Sequence, residues 1–232
     1  MDDLITKIAA IESRIGAVTV TAERTRKDIT LLAVSKTRSA QRIQQVAETG
    51  IKSFGENYVQ EALEKISALQ HLDIDWHFIG PIQSNKTRQI SENFAWVHSV
   101  DRVKIAKRLS DQRPLNMEPL NICMQINIDN EPTKSGFSPE QAAVAALEIV
   151  ALPNLKLRGL MAIPAAQISV DAQRVPFAKL RLLQDSINRS LDNSEKLDTL
   201  SMGMSADLEA AILEQATIIR VGTDIFGPRD NK

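Results

Sequence analysis

A lysine, Lys36, follows the apolar run Leu31-Leu32-Ala33-Val34 after a single serine. Two later stretches set glycines beside hydroxyls: Ser201-Met202-Gly203-Met204-Ser205 and Arg220-Val221-Gly222-Thr223. The lysine suits nucleophilic chemistry. A partly desolvated ammonium has a lowered pKa, and the freed amine can form a Schiff base with an aldehyde. The other two stretches suit an anion. Gly203 and Gly222 allow close backbone approach, and Ser201, Ser205 and Thr223 offer hydroxyl donors. A helix opening at Ser205 would add free N–H groups and the positive end of its dipole. Taken singly, each residue also has a plainer role. Lys36 could be a surface lysine at a strand end, Ser205 a helix cap, the glycines ordinary turns and Arg220 half of an ion pair.

The three stretches act together only if the fold joins them. Hydrophobic spacing predicts strands at about 31–36, 51–54, 76–79, 95–98, 121–128, 155–161, 197–202 and 217–221. Helices are expected between them, at 39–48, from Gly55, Ser84 and Asp101, at 139–151, and from Val175 and Ser205. A further helix at 2–17 carries Leu4, Ile5, Ile8, Ile11 and Ile15. Alternating elements imply an α/β chain with a parallel sheet, and eight units imply a single-domain (β/α)8 TIM barrel over residues 1–232. The tail from Gly222 reads as loop, so the amino-terminal helix is expected to fill the last position of the outer ring. An open doubly wound sheet is the alternative, weakened because no glycine-rich fingerprint follows the first strand. In a closed barrel strands seven, eight and one are neighbours, and their carboxyl ends share one face. There the loops after strands seven and eight form a recurrent phosphate site.

The totals narrow the classes. The chain has 232 residues, 43% hydrophobic, enough for a large core. A net charge of −1 gives no global field for nucleic acid or membrane. No apolar run is long enough to span a bilayer. The acidic start, Met1-Asp2-Asp3-Leu4, lacks the features of a signal peptide, so a cytoplasmic location is expected. Cys123, the single cysteine, is expected buried and reduced. His77 and His98 are expected packed and hydrogen-bonded, and three scattered histidines make no metal set. A monomer is expected.

A phosphate cradle beside a Schiff-base lysine points to pyridoxal 5'-phosphate (PLP), with Arg220 facing the pyridine nitrogen. A permanent cation there disfavours a protonated pyridine, and with it carbanion chemistry. Three functions compete: a non-enzymatic PLP carrier, a small PLP-dependent amino-acid racemase, and a cofactor-free Schiff-base aldolase. A racemase of this barrel type needs a second acid–base residue, usually a tyrosine from an appended domain of a partner chain. No appended domain is expected here, and the lone tyrosine, Tyr58, reads as a packing or cofactor-contacting residue.

Several motifs occur together along the chain: Ala33-Val34-Ser35-Lys36-Thr37, Phe54-Gly55-Glu56-Asn57-Tyr58, Trp76-His77-Phe78-Ile79-Gly80-Pro81-Ile82-Gln83-Ser84-Asn85-Lys86, Lys134-Ser135-Gly136, Arg158-Gly159-Leu160-Met161 and the two glycine–hydroxyl stretches, the second continuing Asp224-Ile225-Phe226-Gly227. In this order they resemble the pyridoxal phosphate homeostasis proteins (the YggS/PROSC family). The resemblance implies a barrel similar to the amino-terminal domain of alanine racemase. It implies Lys36 as the Schiff-base residue and Ser201, Ser205, Gly222 and Thr223 around the phosphate. It places Arg220 near the pyridine nitrogen and Asn57 and Met204 along the cofactor. It further implies a protein that binds and carries PLP and balances vitamin B6 and amino-acid pools, without established catalytic activity and with PLP-dependent client enzymes as recipients. Two departures stand out. Gln215-Ala216 replaces a glycine-bearing turn before the last strand, and Asp224 puts an acid near the phosphate unless it points away or pairs with Arg229. Lys134, and the group Asn85, Lys86 and Arg88, are candidates for a second PLP or phosphate. The polar segment Ala165–Gln173 is a candidate lid.

Overall fold

Eight short strands, each followed by a helix, close on themselves in the computed structural model, which describes residues 2–228. The order runs α1 (Asp2–Thr21), β1 (Thr30–Val34), α2 (Ala40–Ala47), β2 (Ser53–Glu56), α3 (Val59–Ala68), β3 (Asp75–Phe78), α4 (Thr87–Asn93), β4 (Trp96–Val100) and α5 (Val103–Gln112). It continues through β5 (Leu120–Gln125), α6 (Pro139–Val150), β6 (Leu155–Met161), α7 (Val170–Asn188), β7 (Thr199–Ser201), α8 (Leu208–Leu213), β8 (Ile218–Val221) and α9 (Thr223–Phe226). All strands are parallel. Closure comes from β8 on β1, with Leu32 opposite Arg220 and Ala33 opposite Val221.

The strands are short apolar runs because helices cover their outer faces. Each helix turns one stripe inward, as α2 does with Ile43 and Val46 and α5 with Ile105, Ala106 and Leu109. α1 packs against α8 and α9 and so fills the ring where the barrel closes. Leu4, Ile8, Ile11 and Ile15 are buried there, while Ile5 is 52% exposed, one residue off the stripe.

The structure moves several expected boundaries. β2 runs two residues further, to Glu56, because this acidic residue is buried and paired, which a hydrophobicity pattern hides. α7 starts at Val170 rather than Val175, capped by the Ser169 hydroxyl, and Pro176 lies inside it. Four residues of the expected lid, 170–173, therefore belong to a helix. α8 starts at Leu208, with Asp207 rather than Ser205 at its cap position. The tail beyond Gly222 forms the short helix α9 where a loop was expected.

The departure at Gln215 leaves a physical trace. Its φ is +72°, a left-handed conformation that costs a side-chain-bearing residue about 1–2 kcal/mol and glycine almost nothing. Gln215→Gly is expected to stabilise the fold by about 1 kcal/mol, raising Tm by about 2–4 °C in a thermal melt. An unchanged or lower Tm would show that the turn carries no such strain.

Candidate cofactor site

A cavity of about 320 Å³ opens at the carboxyl ends of the strands. Lys36, Asn57, Met204, Ser205, Arg220, Gly222 and Thr223 all line it, although they come from four separate loops and a strand. Val34, Ile79, Met161 and Ile163 supply apolar wall. Their signal in the sequence was only that of apolar residues at or just beyond strand ends. Lys36 stands two residues past β1 and is half-buried. Asn57 follows β2, and its Oδ1 is buried without a hydrogen-bond partner. Such an orphaned acceptor is costly unless a bound donor meets it. Gly80 presses on this backbone: a Cβ there would lie 2.1 Å from the Asn57 carbonyl oxygen.

The loops after β7 and β8, the expected cradle, come together on this cavity. Gly203 has φ +90°, and a Cβ on it would stand 2.5 Å from the Ala211 Cβ. The Arg220 N–H donates to the Gly203 carbonyl at 2.9 Å and ties the two loops together. The Met204 N–H donates to Asp207 Oδ1 at 2.6 Å, which closes a turn through Ser205. Gly222 takes the cap position of α9, so the cavity faces the start of a short extra helix, an arrangement that phosphate-binding barrels share.

Asp224 is ion-paired. Its carboxylate accepts from Arg14 on α1 at 3.0 Å. The same guanidinium donates to Glu209 at 2.7 Å and to the Ser205 carbonyl at 2.8 Å. Arg14 thus clamps both loops of the cradle from behind, a residue the sequence reading missed because it lies some 190 positions away. Arg229, the expected partner, lies outside the described residues.

Arg220 enters the site from inside the barrel. Its guanidinium donates to the Ser201 carbonyl (2.6 Å) and hydroxyl (2.8 Å) and to the Ala162 carbonyl (3.0 Å). The Ser201 hydroxyl is also 2.7 Å from His98 Nδ1, and His98 Nε2 is 2.9 Å from His77 Nδ1. β4 and β7 are not neighbours, so this chain crosses the barrel interior. A guanidinium can only donate. The Ser201 hydroxyl accepts from it and keeps its own hydrogen for His98 Nδ1; in the tautomer that accepts there, His98 donates from Nε2 to His77. Both histidines are buried and hydrogen-bonded, as expected. Burial pushes His77 down to about 3 and, with the nearby His77 and Arg220, holds His98 well below its ordinary value. Burial also lowers Arg220 to about 10. Ser201 is the one expected ligand absent from the cavity lining, because its hydroxyl is committed to positioning Arg220.

The remaining candidates sit apart. Lys134 lines a neighbouring cavity of about 300 Å³ and pairs with Glu131 at 2.5 Å. Lys86 holds the cap position of α4, with Asn85 and Arg88 exposed beside it. Tyr58 is 58% exposed and does not line the cavity, so neither expected role fits it. Cys123 is buried, and burial raises its thiol to about 12. Among the described residues no helix is long and apolar enough to cross a membrane.

Comparison with known proteins places this geometry. Residues 8–230 match the family described as alanine racemase, N-terminal domain. The pyridoxal phosphate homeostasis protein of Pseudomonas aeruginosa is 52% identical over 230 residues, 99% of this chain and 97% of that one. PipY of Synechococcus elongatus, solved with PLP bound, is 33% identical with a TM-score of 0.81, covering 94% of this chain and all of that one. An alanine racemase of Clostridium difficile shares the fold at 14% identity, with a TM-score of 0.76 over 100% of this chain and 61% of its own. The chain belongs to the pyridoxal phosphate homeostasis protein family and is built as the alanine racemase amino-terminal barrel.

Proposed function

We propose that the protein binds PLP reversibly through Lys36 and serves PLP and amino-acid homeostasis as a carrier, without catalytic turnover. The observation that carries this reading is the convergence of an amine, a two-loop cradle and a fixed guanidinium on one cavity. The orphaned Asn57 oxygen fits the group too, since it lacks a donor. PLP bound in PipY and the name shared by the relatives support the same reading.

Bound there, the cofactor supplies an aldehyde that an amine captures as a Schiff base and releases by hydrolysis or exchange. Lys36 offers that amine. Ser205, Thr223 and the backbone at Gly222 would hold the phosphate, with Arg14 keeping their loops in register. Arg220, fixed by Ser201 and Ala162, would hold a positive charge against the ring nitrogen and oppose its protonation. Among the described residues no histidine, tyrosine or carboxylate lines this cavity, which favours a carrier over a racemase or an aldolase. We place the protein in the cytoplasm, as a monomer that hands PLP to dependent enzymes.

The test is the visible spectrum after PLP addition, for the wild type and Lys36→Ala. A Schiff-base band in the wild type, lost in the variant, is expected. No band in either protein would remove the assignment, and turnover of an amino acid by the loaded protein would favour a racemase.

A further inference from the structure

A second cluster lies directly behind Lys36, outside the cavity. β1 gives way to a turn in which the Arg38 N–H donates to the Ser35 carbonyl at 3.0 Å. Thr37, the third residue of this turn, has φ +64°. A β-branched residue keeps that conformation only where its surroundings over-determine it. Here they do. Glu61 on α3 accepts the Thr37 N–H at 2.5 Å. Lys65, one turn further along, donates to the same Glu61 oxygen, to Glu56 Oε1 at 2.8 Å and to the Ser35 carbonyl at 2.8 Å. Glu56 Oε1 also accepts the Ser35 hydroxyl at 2.6 Å.

The residues on both sides of Lys36 are therefore tied to one cluster. Ser35 and Glu56 are fully buried and Lys65 nearly so. Glu56 keeps a buried oxygen, Oε2, without a partner. Buried ion pairs of this kind are poor investments in stability alone, since desolvation offsets the attraction. What this one secures is local: the direction in which residue 36 leaves the strand.

We propose that Glu61, with Lys65 and Glu56, is the positioning cluster that aims the Lys36 amine into the cavity. The inference rests on Lys36 as the PLP-capturing amine. Glu61 acts through the Thr37 N–H and Lys65 acts through the Ser35 carbonyl, so neither touches the ligand. A displaced amine captures an aldehyde less well, whereas a phosphate held by the loops after β7 and β8 does not need that amine.

The experiment compares two ligands, PLP and pyridoxine 5'-phosphate, which has the same ring and phosphate but no aldehyde. Glu61 suits substitution because its side chain is 29% exposed. Glu61→Ala is expected to weaken PLP binding about tenfold while pyridoxine 5'-phosphate binding stays within about twofold. Glu61→Gln, which keeps an acceptor oxygen for Thr37, is expected to restore PLP affinity. Equal loss for both ligands, loss for neither, or failure of the glutamine to restore would each overturn the proposal. Absence of a Schiff-base band in the wild type, measured alongside, would instead overturn the assignment of Lys36.

Discussion

At pH 5 the protein is expected to be at least about 2 kcal/mol less stable than at pH 7.5. The cause is the buried pair His77 and His98. Both are held neutral, His77 down to about 3 and His98 well below its ordinary value, chiefly by burial. In the unfolded chain each titrates near about 6.5. Below that pH the unfolded state binds protons that the folded state refuses, so stability falls as pH falls. For His77 the contribution is whole above about pH 6.5 and drains until about pH 3, so that it gives up about 2 kcal/mol by pH 5. His98 adds a loss of the same sign. Glu56 and Asp207, raised by burial, act in the opposite sense, but ordinary carboxylates titrate about two units lower than histidine. Urea titrations at the two pH values measure the difference. A change under about 1 kcal/mol would mean that the chain from Arg220 to His77 accepts a proton without breaking.

Lys65→Met is expected to cost about 3–5 kcal/mol at pH 7.5. The substitution removes the ammonium that Glu56 and the Ser35 carbonyl share. Glu61 is partly exposed and can turn to water, but Glu56 is wholly buried and is left as an uncompensated charge. Burial already raises the Glu56 pKa, and losing Lys65 raises it further. The folded variant then takes up a proton that the unfolded chain does not, so its deficit relative to wild type shrinks as pH falls toward about 5. Replacing both partners, Glu56→Gln with Lys65→Met, is expected to recover more than half of the loss. Equal destabilisation of the single and double variants would show that the pair is not what the substitution breaks.

The barrel was legible because its signal is carried by short apolar runs alternating with amphipathic helices, and β1, β6 and α6 fall close to their expected limits. Two of the errors share one physical cause. Residues that are polar and buried do not register as buried in a hydrophobicity pattern. Glu56 hid the true extent of β2, and Ser201 read as a phosphate ligand although its hydroxyl sits between Arg220 and His98. The convergence of Lys36, Ser205, Gly222 and Thr223 on one cavity was legible because all of them stand at strand ends on one face of a closed barrel. Arg14, Glu61 and Lys65 were not, since an arginine or glutamate on a helix reads as solvated until the fold shows what it reaches. Asp224 looked like a liability for the same reason, and Arg14 removes it.

The most direct test of the central claim is covalent. The full-length protein is mixed with PLP, reduced with borohydride, digested and mapped by mass spectrometry. The account predicts a phosphopyridoxyl group on the peptide carrying Lys36, lost in Lys36→Ala. Labelling concentrated on Lys134, Lys86 or other lysines, with Lys36 unmodified, would contradict it.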